Sequence, residues 1–249
     1  MAASQPQQSD LPAGRDLLKV GSYNIHRCVG SDMRHDIERV ARVIDELSCD
    51  TVGLQEVDTL DRQIDALAAA TGMRSIAGPT PPSDARPLSN ALLTTRDFGQ
   101  VRRHDLTVRG REPRGALDVE LSAGGQSVRV IVTHLGLSAA ERRAQVQKLL
   151  LLIRGIPQDC PVVMLGDINE WWPFGRPLRW LHHAMGKAPS GCSFPVWAPV
   201  LALDRLWCRP AGTLLAVEVH RSSRARAASD HFPVKAIVVP DAARGWRCA

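Results

Sequence analysis

Several apolar runs in this chain end abruptly in acids, amides or histidines: VGSYNIH, TVGLQEVD, RVIVTHLG, PVVMLGDINE and ASDHFPV. A buried strand that ends in ionisable groups delivers them to the rim of a sheet, where pockets form in layered α/β proteins. One such ending means little, because every strand must leave the core into something polar. Repetition within one chain brings many such groups to candidate rims. The candidates are the oxygen donors Glu56, Asp167, Asp204 and Asp230, the amides Asn24 and Asn169, and the imidazoles His134 and His231. A hard, oxygen-rich set of this kind suits Mg²⁺ or Mn²⁺, which keep several waters and meet one or two carboxylates. Two histidines admit zinc as a rival, but no HExxH or similar paired-histidine spacing is present, so magnesium is favoured.

The elements that must position these groups follow from periodicity. Residues 17–23 read as a strand delivering Asn24 and His26, and 51–55 as a short apolar strand delivering Glu56. Between them, Ile37, Val40, Ala41, Ile44 and Leu47 recur at helical spacing over 36–47. A second helix is predicted over 61–70, stopped by Gly72, and a Pro-rich loop over 78–88. Strands are predicted over 91–94, 101–108, 116–121 and 128–133. An amphipathic helix over 138–153 follows, with Ser138 as N-cap and Glu141 completing a capping box. The remainder reads as strand 161–165, helix 178–185, and strands 202–208, 214–219 and 234–239. No linker or repeat divides this order, so a single α/β domain with mixed sheets and helices outside is expected.

Composition narrows the class further. The 249 residues are 44% hydrophobic, enough for one substantial core, and no apolar run reaches the length of a membrane helix. Residues 1–16 lack the basic and apolar regions of a signal peptide and read as a disordered leader, and 241–249 as a tail. A cytoplasmic protein is therefore expected, with its six scattered cysteines as free thiols. The net charge of +5 permits an anionic substrate without establishing one. Much of the excess is arginine, whose planar fork matches phosphate.

In order along the chain, SYNIH (22–26), LQEVD (54–58), SNALLT (89–94), REPRGAL (111–117), THLGL (133–137), LGDINE (165–170), LDRLW (203–207) and SDHFPV (229–234) occur. The set resembles the motifs of the endonuclease/exonuclease/phosphatase superfamily, the group that includes DNase I, abasic-site endonucleases, sphingomyelinases and inositol-polyphosphate 5-phosphatases. The resemblance implies a four-layer α/β sandwich: two mixed β-sheets packed face to face, with helices outside, over 17–240. It implies Glu56 as principal metal ligand, Asn24 beside it and Asp230 as an added metal contact. His231 would be the acid–base or electrostatic group at the phosphate, oriented by Asp204. Asp167 would align or deprotonate the attacking water, Asn169 would donate to non-bridging oxygens, and His134 would contact the phosphate or assist the leaving group. Arg111, and less strongly Arg114, would bind substrate.

These roles match what phosphoester hydrolysis requires: an in-line water, counter-charge for the equatorial oxygens and help for the departing alkoxide. The expected function is a Mg²⁺-dependent phosphodiesterase acting on a small or lipid-derived diester, since SYNIHR and SNALLT resemble compact bacterial members near the sphingomyelinase-like branch. A nucleic-acid endonuclease and a phosphomonoesterase are the alternatives, and a catalytically dead binding module is disfavoured because every chemical position is occupied. No obligate protein partner is indicated. Ile168 stands where many relatives carry phenylalanine, a change expected to be tolerated as packing. The aromatic loop Trp171, Trp172, Phe174 could stack on a base, lie against lipid or close over the core, and the last is the default expectation.

Overall fold

The computed structural model describes residues 16–79 and 88–240. Residues 1–15 of the predicted leader, most of the 78–88 loop and the tail lie outside the described residues. The chain enters on β1 (Leu18–Asn24), crosses α1 (Ile37–Leu47) to β2 (Thr51–Asp58), then passes α2 (Gln63–Thr71), β3 (Arg74–Ala77) and β4 (Leu88–Thr94). Strands β5 (Phe98–Asp105), β6 (Gly115–Ala123) and β7 (Gln126–His134) follow, then α3 (Ala139–Arg154) and β8 (Val162–Asp167). The order closes with α4 (Arg176–Met185), β9 (Asp204–Arg209), β10 (Leu214–Val219), α5 (Ser223–Ala228) and β11 (Val234–Val238). Capping explains two of the helix starts: Asp36 accepts from the Arg39 N–H ahead of α1, and Ser138 accepts from the Glu141 N–H ahead of α3. The reciprocal half of the predicted capping box is replaced, because the Glu141 carboxylate accepts from Gln145 Nε2 instead.

Two mixed sheets result, ordered β10-β11-β1-β2-β4-β3 and β5-β6-β7-β8-β9. They pack face to face over Val20, Leu92, Leu117, Val130, Leu165 and Leu206. The outer face of the first sheet buries Tyr23, Leu54 and Leu93 beneath α1, α2 and α5. The outer face of the second buries Ile131, Met164 and Trp207 beneath α3 and α4. The four-layer α/β sandwich is thus observed.

Two glycines set how close the layers and strands come. A Cβ on Gly53 of β2 would lie 2.3 Å from Leu165 Cδ1, so a side chain there would push the sheets apart beside the site. Gly166, at φ +147, leaves no room at all: its Cβ would lie 1.8 Å from the Thr133 carbonyl oxygen on the neighbouring strand. Gly166→Ala is expected to cost at least about 2 kcal/mol of stability, read from urea denaturation; a loss below about 0.5 kcal/mol would show that the strand can yield there.

Candidate active site

Register aligns three of the predicted residues. β7 and β8 run parallel with His134 opposite Asp167, and β8 and β9 run antiparallel with Asp167 opposite Asp204. Residues opposite one another share a face, so an imidazole and two carboxylates stand side by side at one rim of the second sheet. The first sheet supplies the facing groups. Asn24 ends β1, and Glu56 lies where the β2–β4 pairing slips by one residue between Leu54 and Val57. Glu56 has φ +58, and this bulge re-aims its side chain at a backbone cost of about 1–3 kcal/mol.

Asn24 spans the gap between sheets. Its Nδ2 donates to Glu56 Oε1 at 3.1 Å and to Asp167 Oδ2 at 3.1 Å, while its Oδ1 accepts from the His26 N–H. The loop before β11 closes the set. Ser229 Oγ donates to the Asn24 carbonyl at 2.7 Å and accepts from the His231 N–H at 3.2 Å. His231 Nδ1 lies 2.8 Å from Asp204 Oδ2, and its other nitrogen lies 3.8 Å from Asp167 Oδ2. Asn169 takes the left-handed conformation, φ +53, after its N–H donates to Asp167 Oδ1. Its amide then donates to the Leu135 carbonyl and faces His134 Nε2 at 3.0 Å.

Asp230 sits half-exposed at the edge, its Oδ1 3.9 Å from His26 Nδ1. The two arginines part company. Arg114, directly before β6, is buried with Nη1 3.5 Å from His134 Nδ1 and Nη2 donating to Glu112. Arg111 is exposed in the preceding turn, and its one hydrogen bond among the described residues, from the backbone N–H to Val108, leads away from the cluster. Of the two, Arg114 is the one placed beside the row. Glu56, Ser89, Asn90, Arg114 and His134 line an open cleft beside the row.

Ser193 and Phe194 were not foreseen. Buried Ser193 donates to Asp204 Oδ2 at 2.6 Å, and the Phe194 ring packs on His231 at a centroid distance of 4.6 Å. Both arrive on the long connection between α4 and β9, and nothing in their spacing announces the contact.

The two histidines are driven in opposite directions. Burial would strip the proton from His231, but Asp204, through charge and hydrogen bond, with Asp167 and Asp230, outweighs it and raises the pKa to about 10. His134 falls to about 3, chiefly through burial, with Arg114 and His231 adding to the effect and Asp167 opposing it. Burial also raises Asp167, against the pull of His231 and His134. The site therefore holds a cationic His231, a neutral His134 and a carboxylate whose basicity is increased.

Asp167, Asp204 and His231 offer ligand atoms all within 4.8 Å of one another. Asp204 Oδ2 and His231 Nδ1 are engaged with each other, however, and so make a poor open cage. Glu56 is only partly buried and, among the described residues, receives a hydrogen bond from Asn24 alone. Among the described residues, with Asp167, Asp204 and Asp230 nearby, the carboxylates exceed the cations His231 and Arg114, and Asp204 Oδ1 is buried without a hydrogen-bond partner. That surplus of hard oxygen fits a divalent cation.

The model of the Endonuclease/Exonuclease/phosphatase family matches residues 21–231. The chain belongs to this family, whose members are hydrolases of phosphoester bonds, typically dependent on a divalent metal. It is 31% identical over 159 residues to the uncharacterized protein YbhP of Escherichia coli K12, covering 59% of this chain and 61% of that protein. Among solved structures, the mannosyl-6-phosphatase Bt3783 of Bacteroides thetaiotaomicron superposes with TM-score 0.71 at 18% identity, covering 89% of this chain and 99% of that one. D. rerio TDP2, complexed with a single-strand DNA product, gives TM-score 0.65 at 19% identity over 89% and 98%. At these identities the likeness is one of fold, and the fold hosts more than one substrate.

The opposed histidines set a pH dependence of stability in EDTA. Between pH 3 and 6.5 the unfolded chain binds the His134 proton and the folded one does not, so stability falls as pH falls through that window. Between 6.5 and 10 the folded chain keeps the His231 proton, so stability falls as pH rises. Relative to wild type, His134→Gln should flatten the acid limb and His231→Gln the alkaline limb in denaturant melts. Parallel limbs in wild type and variants would contradict the assignment.

Proposed function

We propose that the protein is a divalent-metal-dependent phosphodiesterase that cleaves a small or lipid-derived phosphodiester by attack of water at phosphorus. The observation that carries this reading is the Asp204–His231 pair facing Asp167, with Asn24 linking Asp167 to Glu56 across the two sheets. Glu56 and Asp230 would supply carboxylate oxygens to Mg²⁺ or Mn²⁺, and Asn24 would fix Glu56 against Asp167. When bound, the cation supplies Lewis-acid charge at a phosphoryl oxygen.

The chain's own groups do the rest. Asp167 orients the attacking water and accepts its proton, a task helped by burial, which raises its pKa. His231, held cationic and fixed in orientation by Asp204, donates to the equatorial oxygens as negative charge builds. Asn169 adds a neutral donor on the same side. His134 and Arg114 lie toward the cleft, where the phosphate or leaving group would sit. Arg111 has no role in this reading.

The charge of the cleft supports the small-diester class. Among the described residues lining it, Arg114 is the one arginine or lysine. One guanidinium matches one phosphate, whereas a nucleic-acid backbone is held by a track of several basic groups.

Purified protein with Mg²⁺ is expected to hydrolyse bis-p-nitrophenyl phosphate, and EDTA to abolish the activity. His231→Ala and Asp167→Asn should each lower kcat at least about 100-fold. Near-wild-type turnover in either variant would refute its assigned role. Nicking of supercoiled plasmid that falls steeply with salt, faster than any diester turnover, would overturn the substrate class.

A further inference from the structure

The aromatic loop after Asn169 does not close over the core. Trp171 is 58% exposed, Trp172 52% and Phe174 70%, and the three rings pack edge to face, with centroids 6.1 and 5.6 Å apart. Their outward position is fixed from below by a buried ion pair. Arg142 of α3 donates to Glu170 Oε2, and Glu170 Oε1 accepts from the Trp172 N–H. The same guanidinium donates to the carbonyl of Leu137, whose side chain is 73% exposed. Leu137 and the rings are thus anchored on one rigid post, side by side.

A second loop reaches the same rim. Trp197, 80% exposed, and Val200 lie just ahead of β9, whose first residue is Asp204. Val196 donates its N–H to the Asp230 carbonyl, which ties this loop to the His231 segment. β7 and β8 end, and β9 begins, at the rim that carries His134, Asp167 and Asp204. Leu137, Trp171, Trp172 and Phe174 therefore follow a site residue, and Trp197 and Val200 precede one, by two to seven positions. Beside them, Arg176 and Arg179 are exposed, and their guanidinium groups make no ion pair with described residues.

Large exposed apolar patches mark interaction surfaces. Tryptophans on loops, with aliphatic side chains among them and arginines flanking, match the chemistry of a membrane–water interface: rings at headgroup depth, aliphatics in the acyl boundary, cations on phosphate. Stacking on bases uses open ring faces along a strand. Here the rings pack edge to face against one another, and Leu137 and Val200 offer no aromatic face.

We propose that the rim formed by Leu137, Trp171, Trp172, Phe174, Trp197 and Val200 docks the enzyme on an anionic phospholipid surface, with the active-site row facing the headgroups. The docking does not depend on turnover. It rests on the phosphodiesterase reading only in naming the headgroup ester as the substrate.

The experiment is sedimentation of the full chain, in EDTA, with vesicles of phosphatidylcholine mixed with phosphatidylglycerol, alongside a fluorescent single-stranded oligonucleotide as the competing ligand. Wild type should bind the vesicles. Trp171→Ala/Trp172→Ala/Phe174→Ala should weaken partitioning at least about 30-fold, and Trp197→Ser, on the separate loop, should weaken it several-fold. Both variants should keep wild-type turnover of soluble bis-p-nitrophenyl phosphate, which also reports their folding. No vesicle binding by wild type, binding unchanged in both variants, or a loss confined to the oligonucleotide would each overturn the proposal. A protein that binds vesicles through these residues but leaves the soluble diester intact would retain the docking surface and lose the phosphodiesterase reading.

Discussion

Asp167 is a carboxylate buried where two sheets meet, and a charge in that position is tolerated only if groups from both sides attend to it. Removing a carboxylate from water costs several kcal/mol unless donors and counter-charge replace the lost hydration. The second sheet contributes His134 beside it and Asn169 after it; the first sheet reaches across with Asn24; the loop before β11 brings His231. Each of these partners is in turn fixed by another. Asp204 and Ser193 hold His231, Ser229 holds the end of β1, and Arg114 and Asn169 hold His134 between them. The architecture follows from this requirement: the sheets must approach closely beside the site, which Gly53 permits, and β7 and β8 must pair closely, which Gly166 permits.

The same arrangement separates two imidazoles that start out chemically identical. One lies against Asp204 and becomes cationic; the other lies between Arg114 and an amide and stays neutral. A fixed positive donor and a carboxylate of raised basicity, a few ångströms apart, are what water attack on a phosphoester needs. Pre-formed charges of this kind need little reorganisation during the reaction, so the stability spent on burying them becomes selectivity for the transition state.

Much of this was legible from residue order alone. An apolar run that stops at Asn24, His134 or Asp167 forecasts both the strand and the rim, because alternation and burial constrain the run and chemistry constrains its end. What escaped the sequence depends on partners distant in the chain. The bulge that aims Glu56 exists only in the pairing of β2 with β4. The four-residue edge strand β3 and the six-residue helix α5 are too short for a periodic signal. Ser193 acquires its role only when its loop folds back on β9. Arg114 and Arg111 differ by three positions, and only the folded chain shows that Arg114 turns inward, because its partner His134 lies 20 residues further on. The Trp171–Phe174 loop was expected to pack inward; the buried Arg142–Glu170 pair takes the space beneath it and leaves the rings outside.

The central claim is that residues of the two sheets act as one unit through the Asn24–Asp167 contact. A double-mutant cycle on kcat, with Asn24→Ala, Asp167→Asn and the combined variant, tests it most directly. If the account holds, the combined variant turns over within about threefold of the slower single variant, because either change already breaks the unit. Losses that multiply in full, as for independent sites, would contradict it.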